Sequence, residues 1–324
     1  MKITLIGGAG YVGTMLTQNL LKRKHEVLVF DTFWYGDHLG IHPNLNKQQG
    51  DMRDVKAVKK AVKGADAVIH LACVSNDPSF DLNPRLGRSV NYDCFKDILW
   101  AVNEAEVNRF IYASSSSVYG VKLEQNVTED MVCEPLTDYS KYKLACEMEL
   151  KSYGMGGAWT ILRPATVCGY SPRMRFDLIV NILALDAIKK KKITVHGGFQ
   201  MRPNINIKDM VRAYEVVLEA DEHLVHEKTY NVGGENKSLI DIAMTVRDVI
   251  SDKTVEVVQE LSKDPRSYHI CSNLIKRELG FEPDRGIKGA VNSIKDALEA
   301  NMLADPLNNP DWVNIKKMKE LGLS

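Results

Sequence analysis

The sequence predicts an α/β fold: a doubly wound parallel sheet carrying a smaller C-terminal α/β part. Three observations predict it. Short apolar runs alternate with amphipathic helical stretches through the first half of the chain, the pattern of a parallel sheet with right-handed crossovers. The stretch from Lys2 to Asp31 is strand, glycine cluster, helix, strand and acid, in that order. A later strand runs into four consecutive serines, and a helix carrying a Tyr and a Lys four residues apart follows it.

Taken in order, Ile3, Leu5 and Ile6 read as a short buried strand. Gly7-Gly8-Ala9-Gly10-Tyr11-Val12-Gly13 comes next, and residues 12–24 have helical character. The glycines fit both G-x-G-x-x-G (Gly8, Gly10, Gly13) and G-x-x-G-x-x-G (Gly7, Gly10, Gly13). A strand must turn sharply into a helix here, and side chains would hold a diphosphate away from the N–H groups at the helix start. Residues 25–30 form a second strand closed by Asp31, which lies 18 residues past Gly13. That is close to the offset of about 20 at which an acid binds the adenosine ribose hydroxyls of a dinucleotide. An acid at this point repels a 2′-phosphate, and no Arg follows it directly, so NAD is expected over NADP.

Residues 32–46 are rich in aromatics, Gly and His and read as a loop crossing the adenosine. Gln49-Gly50-Asp51-Met52-Arg53-Asp54 ends a short strand; residues 55–63 form a helix with Val58 and Val62 inward, and 65–71 a buried strand. Residues 89–104 read as one amphipathic helix and 109–113 as the next strand. That strand enters Ser114-Ser115-Ser116-Ser117-Val118-Tyr119-Gly120, hydroxyls at the carboxyl end of a parallel strand, where open α/β sheets bind ligands. Serines also suit a plain solvated turn. Thr137-Asp138 can cap a helix bearing Tyr139-Ser140-Lys141-Tyr142-Lys143, and residues 159–163 form a strand leading into Pro164-Ala165-Thr166. Beyond it the pattern loosens. Helices are expected at 177–190, 207–220, 239–250 and 275–279, with strands at 193–195 and 230–232. The basic run 189–192 reads as a solvated helix end, where lysines meet the C-terminal dipole. The expected division is a nucleotide-binding domain over 1–165 and a mainly ligand-binding domain over 166–324, with some crossover back to the sheet.

Bulk composition narrows the function. The 324 residues carry 42 Lys plus Arg against 42 Asp plus Glu, which argues against nucleic acid or an anionic membrane as partner. There is no apolar run of about 18 residues, the length a membrane span needs. The chain enters a strand at residue 2, which is read as leaving no room for a signal peptide. The six cysteines are scattered without C-x-x-C pairs, as in a reduced, cytoplasmic protein, and the sequons at Asn126 and Asn236 then carry no meaning. No metal is expected. His38 and His42 are four apart, but Gly40 and Pro43 argue against a helix aiming both at one ion, and His223 and His226 sit in a charged patch beside Glu222 and Glu227.

Tyr139 and Lys143 share one face of a helix. An isolated Tyr has a pKa near 10, and an adjacent ammonium, helped by an oxidised nicotinamide, brings its phenolate nearer working pH. With Ser115 hydrogen-bonded to the hydroxyl being oxidised, this is a coherent alcohol-oxidation site. Y-x-x-x-K alone is a common accident, and its weight here comes from the dinucleotide fingerprint and the serine-bearing strand end upstream.

On these residues the chain resembles the extended short-chain dehydrogenase/reductases of the nucleotide-sugar epimerase and dehydratase kind. The matching pieces are Gly7–Gly13, Asp31, Gly50-Asp51 with Arg53-Asp54, His70-Leu71-Ala72, Asn91, Ser114–Gly120, Tyr139/Lys143, Leu162-Arg163-Pro164, Tyr230-Asn231-Val232-Gly233 and Leu279-Gly280-Phe281. The resemblance implies a Rossmann-type domain binding NAD through the glycine turn, including Tyr11 and Val12, and through Asp31. It implies that Asp51 and Met52 hold the adenine, that Leu71, Ala72 and Pro164 line the cofactor, and that Lys143 also binds the nicotinamide ribose. It places a nucleotide-diphosphate sugar against Ser116, Ser117 and Thr166, with Asn181, Arg202 and Arg266 on its diphosphate, and a homodimer through the helices around 89–104 and 139–153.

Several departures refine this. The 4,6-dehydratases carry an acidic pair where this chain has Ser116 and Ser117, so dehydration is not expected. The usual Arg-Asp is Arg202-Pro203 here. The stretch from Cys168 to Arg175 is similar to enzymes acting on sugars for surface polysaccharides, including GDP-heptose 4-dehydrogenases, and Arg173 and Arg175 suggest an anionic or hydroxyl-rich substrate. The expected activity is an NAD-dependent nucleotide-sugar C4 epimerase, the alternative a net 4-dehydrogenase on the same substrate class. A redox-sensing NAD-binding regulator would need the glycine turn but neither Tyr139 nor Lys143.

Overall fold

The computed structural model describes residues 1–262 and 267–324; Arg266 lies outside the described residues. Strand β1 (Lys2–Ile6) passes through the glycine turn into α1 (Tyr11–Lys22), and β2 (Glu26–Asp31) and β3 (Leu45–Gln49) follow. The Asp54 carboxylate accepts from the N–H groups of Lys56 and Ala57 and so starts α2 (Val55–Val62), which leads to β4 (Ala67–His70). The chain then forms α3 (Asp77–Leu82), α4 (Pro84–Arg88), a π-helical turn (Ser89–Asp93) and α5 (Phe95–Glu104). β5 (Arg109–Ala113), a 3-10 turn (Ser116–Tyr119), α6 (Asp138–Tyr153) and β6 (Ala158–Pro164) complete the first part.

The single helix expected over 89–104 is therefore two pieces. Asn91 explains the break: its side chain accepts from Val74 N at 2.7 Å and donates to Val74 O at 3.0 Å, while its own carbonyl accepts from Cys146 Sγ. Asn91 is thus tied to two neighbouring segments in the middle of the π-helical turn, a single-turn interruption of the kind π-helix usually takes.

The second part contributes β7 (Thr166–Cys168), α7 (Ile179–Lys190), β8 (Lys192–His196), β9 (Met201–Asn206), α8 (Ile207–Glu219), α9 (Glu222–Val225) and β10 (Lys228–Val232). After them come β11 (Glu235–Ser238), α10 (Leu239–Ile250), β12 (Glu256–Glu260), α11 (Asn273–Leu279), α12 (Gly286–Glu299) and α13 (Asn314–Glu320). Among the described residues the main sheet has seven parallel strands in the order β3-β2-β1-β4-β5-β6-β10. Strand β10 returns from the C-terminal half to pair with β6, so residue 165 does not separate two unconnected units. The remaining strands make a three-stranded sheet β11-β9-β7 and a parallel pair β12-β8.

Both faces of the main sheet are covered, as its nearly continuous apolar strands require. Leu16, Leu20, Met210, Val211 and Tyr214 of α1 and α8 pack on one face with Ile3, Leu5, Ile69 and Ile111. Val58 and Val62 of α2, Phe95, Ile98 and Leu99 of α5 and Cys146 and Leu150 of α6 pack on the other with Ile6, Phe30, Val68 and Tyr112. Strand order reverses between β1 and β4. A crevice opens at their carboxyl ends, which is where such sheets bind ligands. Among the described residues no helix is long and apolar enough to cross a membrane.

Candidate active site

A cleft of about 470 Å³ lies at that reversal, within the range usual for ligand sites. Gly7, Gly10, Tyr11, Val12, Gly13, Asp31, Asp51, Met52, Leu71, Ala72, Ser115, Tyr139, Lys143 and Pro164 all line it. The sharp turn after β1 depends on its glycines. Gly7 has φ +88°, and a Cβ there would lie 2.4 Å from the Ala72 backbone N; one on Gly13 would lie 2.6 Å from Gly7 O. Gly10 differs, since a Cβ would meet only Gly7 O at 3.4 Å. The fold tolerates a side chain there, but the cleft would lose the bare backbone that a diphosphate needs. α1 begins at Gly10 with no side-chain cap and no acid in its first turn, which leaves its N–H groups and dipole directed at a ligand. These residues fit a dinucleotide.

Asp31 ends β2 with both carboxylate oxygens engaged: Oδ2 accepts from Ala9 N and Oδ1 from Phe33 N, each at 2.9 Å. Burial raises its pKa, and those backbone donors work against the rise. The acid therefore also ties the glycine turn to the loop after β2. Asp51 grips Arg53 through both carboxylate oxygens, and Met52 is buried beside it. Tyr11 contributes little but backbone to the cleft, because its hydroxyl donates to Gly169 O at 2.6 Å and accepts from Asn181 Nδ2 at 3.1 Å.

The Tyr139 side of the cleft lies at the end of β5 and the start of α6. Thr137 caps α6 in a reciprocal box with Ser140, which presents Tyr139 in the first turn. The Ser115 hydroxyl accepts from Ser117 N at 3.1 Å, starting the 3-10 turn, and interacts with the Tyr139 hydroxyl in a way that favours the phenolate. Tyr139 is nonetheless held well above its usual pKa of 10.0, first by burial and then by Cys73 and Asp77; Arg175 and Ser115 oppose the rise. The Lys143 ammonium is turned onto the strand end, donating to Ala113 O at 2.6 Å, and lies 5.0 Å from the Tyr112 ring centroid.

The opposite wall comes from the segment after β7. Arg175 holds Asp177 through two hydrogen bonds, Nε to Oδ1 at 3.0 Å and Nη2 to Oδ2 at 2.8 Å, and donates to Ser75 Oγ at 2.9 Å. Arg173 is 1% exposed and sits 4.0 Å over the Tyr35 ring. Ser116, Ser117, Thr166 and Arg202 also face the cleft. Asn181 does not: it is fully buried behind the wall, taking Gly169 N on Oδ1 and giving its amide hydrogens to Tyr11 OH and Arg175 O. That spends its hydrogen-bonding capacity on holding Arg175 and Tyr11 in place. Reasoning from sequence missed Tyr35, Ser75, Asn76 and Asn314, which the fold brings to the same wall. Only the Asn76-Asp77-Pro78 turn had a local signal.

Among the described residues no three His, Cys, Asp or Glu converge as metal ligands. His38 Nε2 lies 3.0 Å from Tyr35 O, His42 Nδ1 accepts from Asn44 N, and the His226 ring packs edge-on to Trp159. All six cysteines are free thiols.

The model of the NAD dependent epimerase/dehydratase family matches residues 3–233. The chain belongs to that family. Its cofactor is NAD. A UDP-glucose 4-epimerase of Lactobacillus helveticus is 27% identical over 87% of this chain and 92% of its own length. A UDP-glucuronic acid 4-epimerase of Bacillus cereus, solved with UDP-glucuronic acid and NAD, superposes with a TM-score of 0.83 at 25% identity, covering 93% of this chain and all of that one. A dTDP-glucose 4,6-dehydratase of Streptomyces venezuelae shares the fold, with a TM-score of 0.85 at 21% identity over 95% of this chain and all of its own.

Proposed function

We propose that this protein is an NAD-dependent nucleotide-sugar C4 epimerase. The observation that carries the reading is the convergence of Ser115 and Tyr139 on a cleft whose other end is the glycine turn, with serines at 116 and 117 where dehydration needs acids. Tyr139 takes the proton of the sugar 4-hydroxyl and later returns it. Ser115 holds that hydroxyl against the phenol, and Lys143 fixes the nicotinamide ribose. NAD, held by the glycine turn and Asp31, would supply the hydride acceptor for C4 and, once the keto sugar has turned, the hydride donor for its other face. Thr166, Ser116, Ser117, Arg175 and Arg202 bind the sugar nucleotide, Arg202 as a cation for its diphosphate. The two 4-epimerases above support this reading, and the dehydratase shares only the fold.

A second reading is net 4-dehydrogenation, for example of a GDP-heptose-like sugar used in surface polysaccharide. The tightly bonded wall of Arg175, Asp177 and Ser75 favours it, because a fixed wall hinders rotation of a keto sugar. One experiment separates the two. The purified protein is offered UDP-, GDP-, dTDP- and CDP-sugars while NADH absorbance and the sugar proton NMR spectrum are followed together. A new C4 stereoisomer without lasting NADH supports the epimerase; accumulating NADH with a keto sugar replaces it with the dehydrogenase. The exposed Trp100 of α5 and Met148 of α6 supply apolar surface for the homodimer we propose through these helices, to be checked by light scattering.

A further inference from the structure

Two buried arginines line the cleft, but they are satisfied very differently. Arg175 has a carboxylate of its own in Asp177. Arg173 has none at ion-pair distance among the described residues, and its Nε–H has no hydrogen-bond partner. Its one good bond is to a neutral acceptor, Nη2 to Asn314 Oδ1 at 2.5 Å, and Tyr35 lies against its face. A guanidinium so buried and so poorly paired is costly unless something anionic compensates it. The cost shows in its pKa, which burial, then Arg175, bring down to about 10.

The surroundings identify the anion. Arg173 shares the cleft with the uncapped start of α1; of the acids it feels, Asp177 is held by Arg175, and Asp31 already spends its oxygens on Ala9 N and Phe33 N. Two sources of positive potential thus share the cleft, and among the described residues no carboxylate pairs directly with Arg173. The cleft that holds them is lined by both Asp31, at the adenosine end, and Tyr139, at the nicotinamide end; Arg173 interacts with Asp31, and its neighbour Arg175 with Tyr139. The group that spans those ends and carries two negative charges is the diphosphate of a dinucleotide.

We propose that Arg173, held in place by Asn314 of the C-terminal segment, is the cation for the diphosphate of bound NAD, and so belongs to the cofactor side of the cleft. The C-terminal segment then forms part of the cofactor site. Asn314 donates to Ser75 Oγ at 3.1 Å while accepting from Arg173. Trp312 O accepts from Phe176 N at 2.8 Å, and the Trp312 ring packs on His38 of the adenosine loop, with centroids 5.4 Å apart. Beyond them Met318 is fully buried in the core of the N-terminal half. The segment thereby crosses back and fixes the loop that bears Arg173. This assignment rests on NAD as cofactor and holds whichever sugar the enzyme takes.

The test reads binding, not turnover, in the purified full chain. Affinities for NAD and ADP-ribose are measured by calorimetry, and for adenosine by saturation-transfer NMR, in Arg173→Gln and Asn314→Asp. Arg173→Gln should weaken NAD and ADP-ribose about tenfold or more, as expected for a lost charge-assisted hydrogen bond, and leave adenosine unchanged. Asn314→Asp keeps the shape of Asn but gives Arg173 an anion of its own. It should weaken the same two ligands while the melting temperature holds or rises, and it decides the matter alone if Arg173→Gln does not fold. Unchanged NAD and ADP-ribose affinity in both variants overturns the proposal. So does an equal loss for adenosine, which would make Arg173 only a support for Tyr35.

Discussion

Lys143 donates to the carbonyl oxygen of Ala113 at 2.6 Å, and the cation that opposes the raised pKa of Tyr139 is Arg175. Helical spacing had suggested Lys143 for that role. Removing a positive charge disfavours the phenolate, so Arg175→Met should move the ascending limb of kcat/KM to higher pH. Lys143→Met should move it less. A pH–rate series on both variants checks this, and a larger shift for the Lys143 variant would return the tuning role to the lysine.

Tyr139→Phe should abolish turnover while NAD still binds, because only the phenol is lost. Ser115→Ala should slow the reaction by about 10²-fold, typical of removing one positioned polar group. Initial rates with the accepted sugar, beside NAD titration of each variant, test both. Near-normal turnover of the Phe variant would reject Tyr139 as the base.

Glu147 lies one helical turn after Lys143, fully buried, and is gripped by Arg163 through Nη2–Oε2 at 2.6 Å and Nε–Oε1 at 3.0 Å. Its Oε1 also accepts from the Ser114 hydroxyl, next to Ser115. Glu147→Gln leaves the Arg163 charge buried without a counter-charge and should cost about 3–5 kcal/mol in urea unfolding, the range for breaking one partner of a buried pair. A loss near that of an exposed pair, below about 1 kcal/mol, would show that the network relaxes.

His70 is buried against Phe95 and Tyr112 with no partner for Nδ1, and burial, then Lys143, lower its pKa from 6.5 to about 3. Below 6.5 the unfolded chain takes up a proton that the folded chain refuses until about 3, so stability is lost as pH falls through that window. The loss is about 1.4 kcal/mol per unit, or roughly 2 kcal/mol by pH 5. His70→Leu should flatten the acid limb by that amount. Urea unfolding at pH 7.5 and pH 5 measures it, and an unaltered slope would show that His70 does not carry the effect.

Local pattern carried the first half of the fold. Strand β5 occupies the residues its apolar run marks, and α6 starts at the Thr137 cap that the dipeptide Thr137-Asp138 advertised. The failures have one physical source, contacts between segments far apart in the chain. Asn91 breaks the helix expected over 89–104 because Val74 and Cys146 claim its amide and carbonyl. Asn181 turns inward because Gly169 and Tyr11 satisfy it. Neither partner is visible in a local window.

The sequence by itself determined the kind of molecule this is. Glycines at a turn where Gly7 and Gly13 admit no Cβ, an acid at the end of β2, serines at the end of β5 and a Tyr–Lys pair on one helix face are local constraints, and each is written in a few adjacent residues. The tertiary structure alone decided what those groups feel. Charge and desolvation act through space, so only folding could bring Arg175 to Tyr139 and turn Lys143 onto Ala113. In the same way it carried Asn314 from the far end of the chain to Arg173.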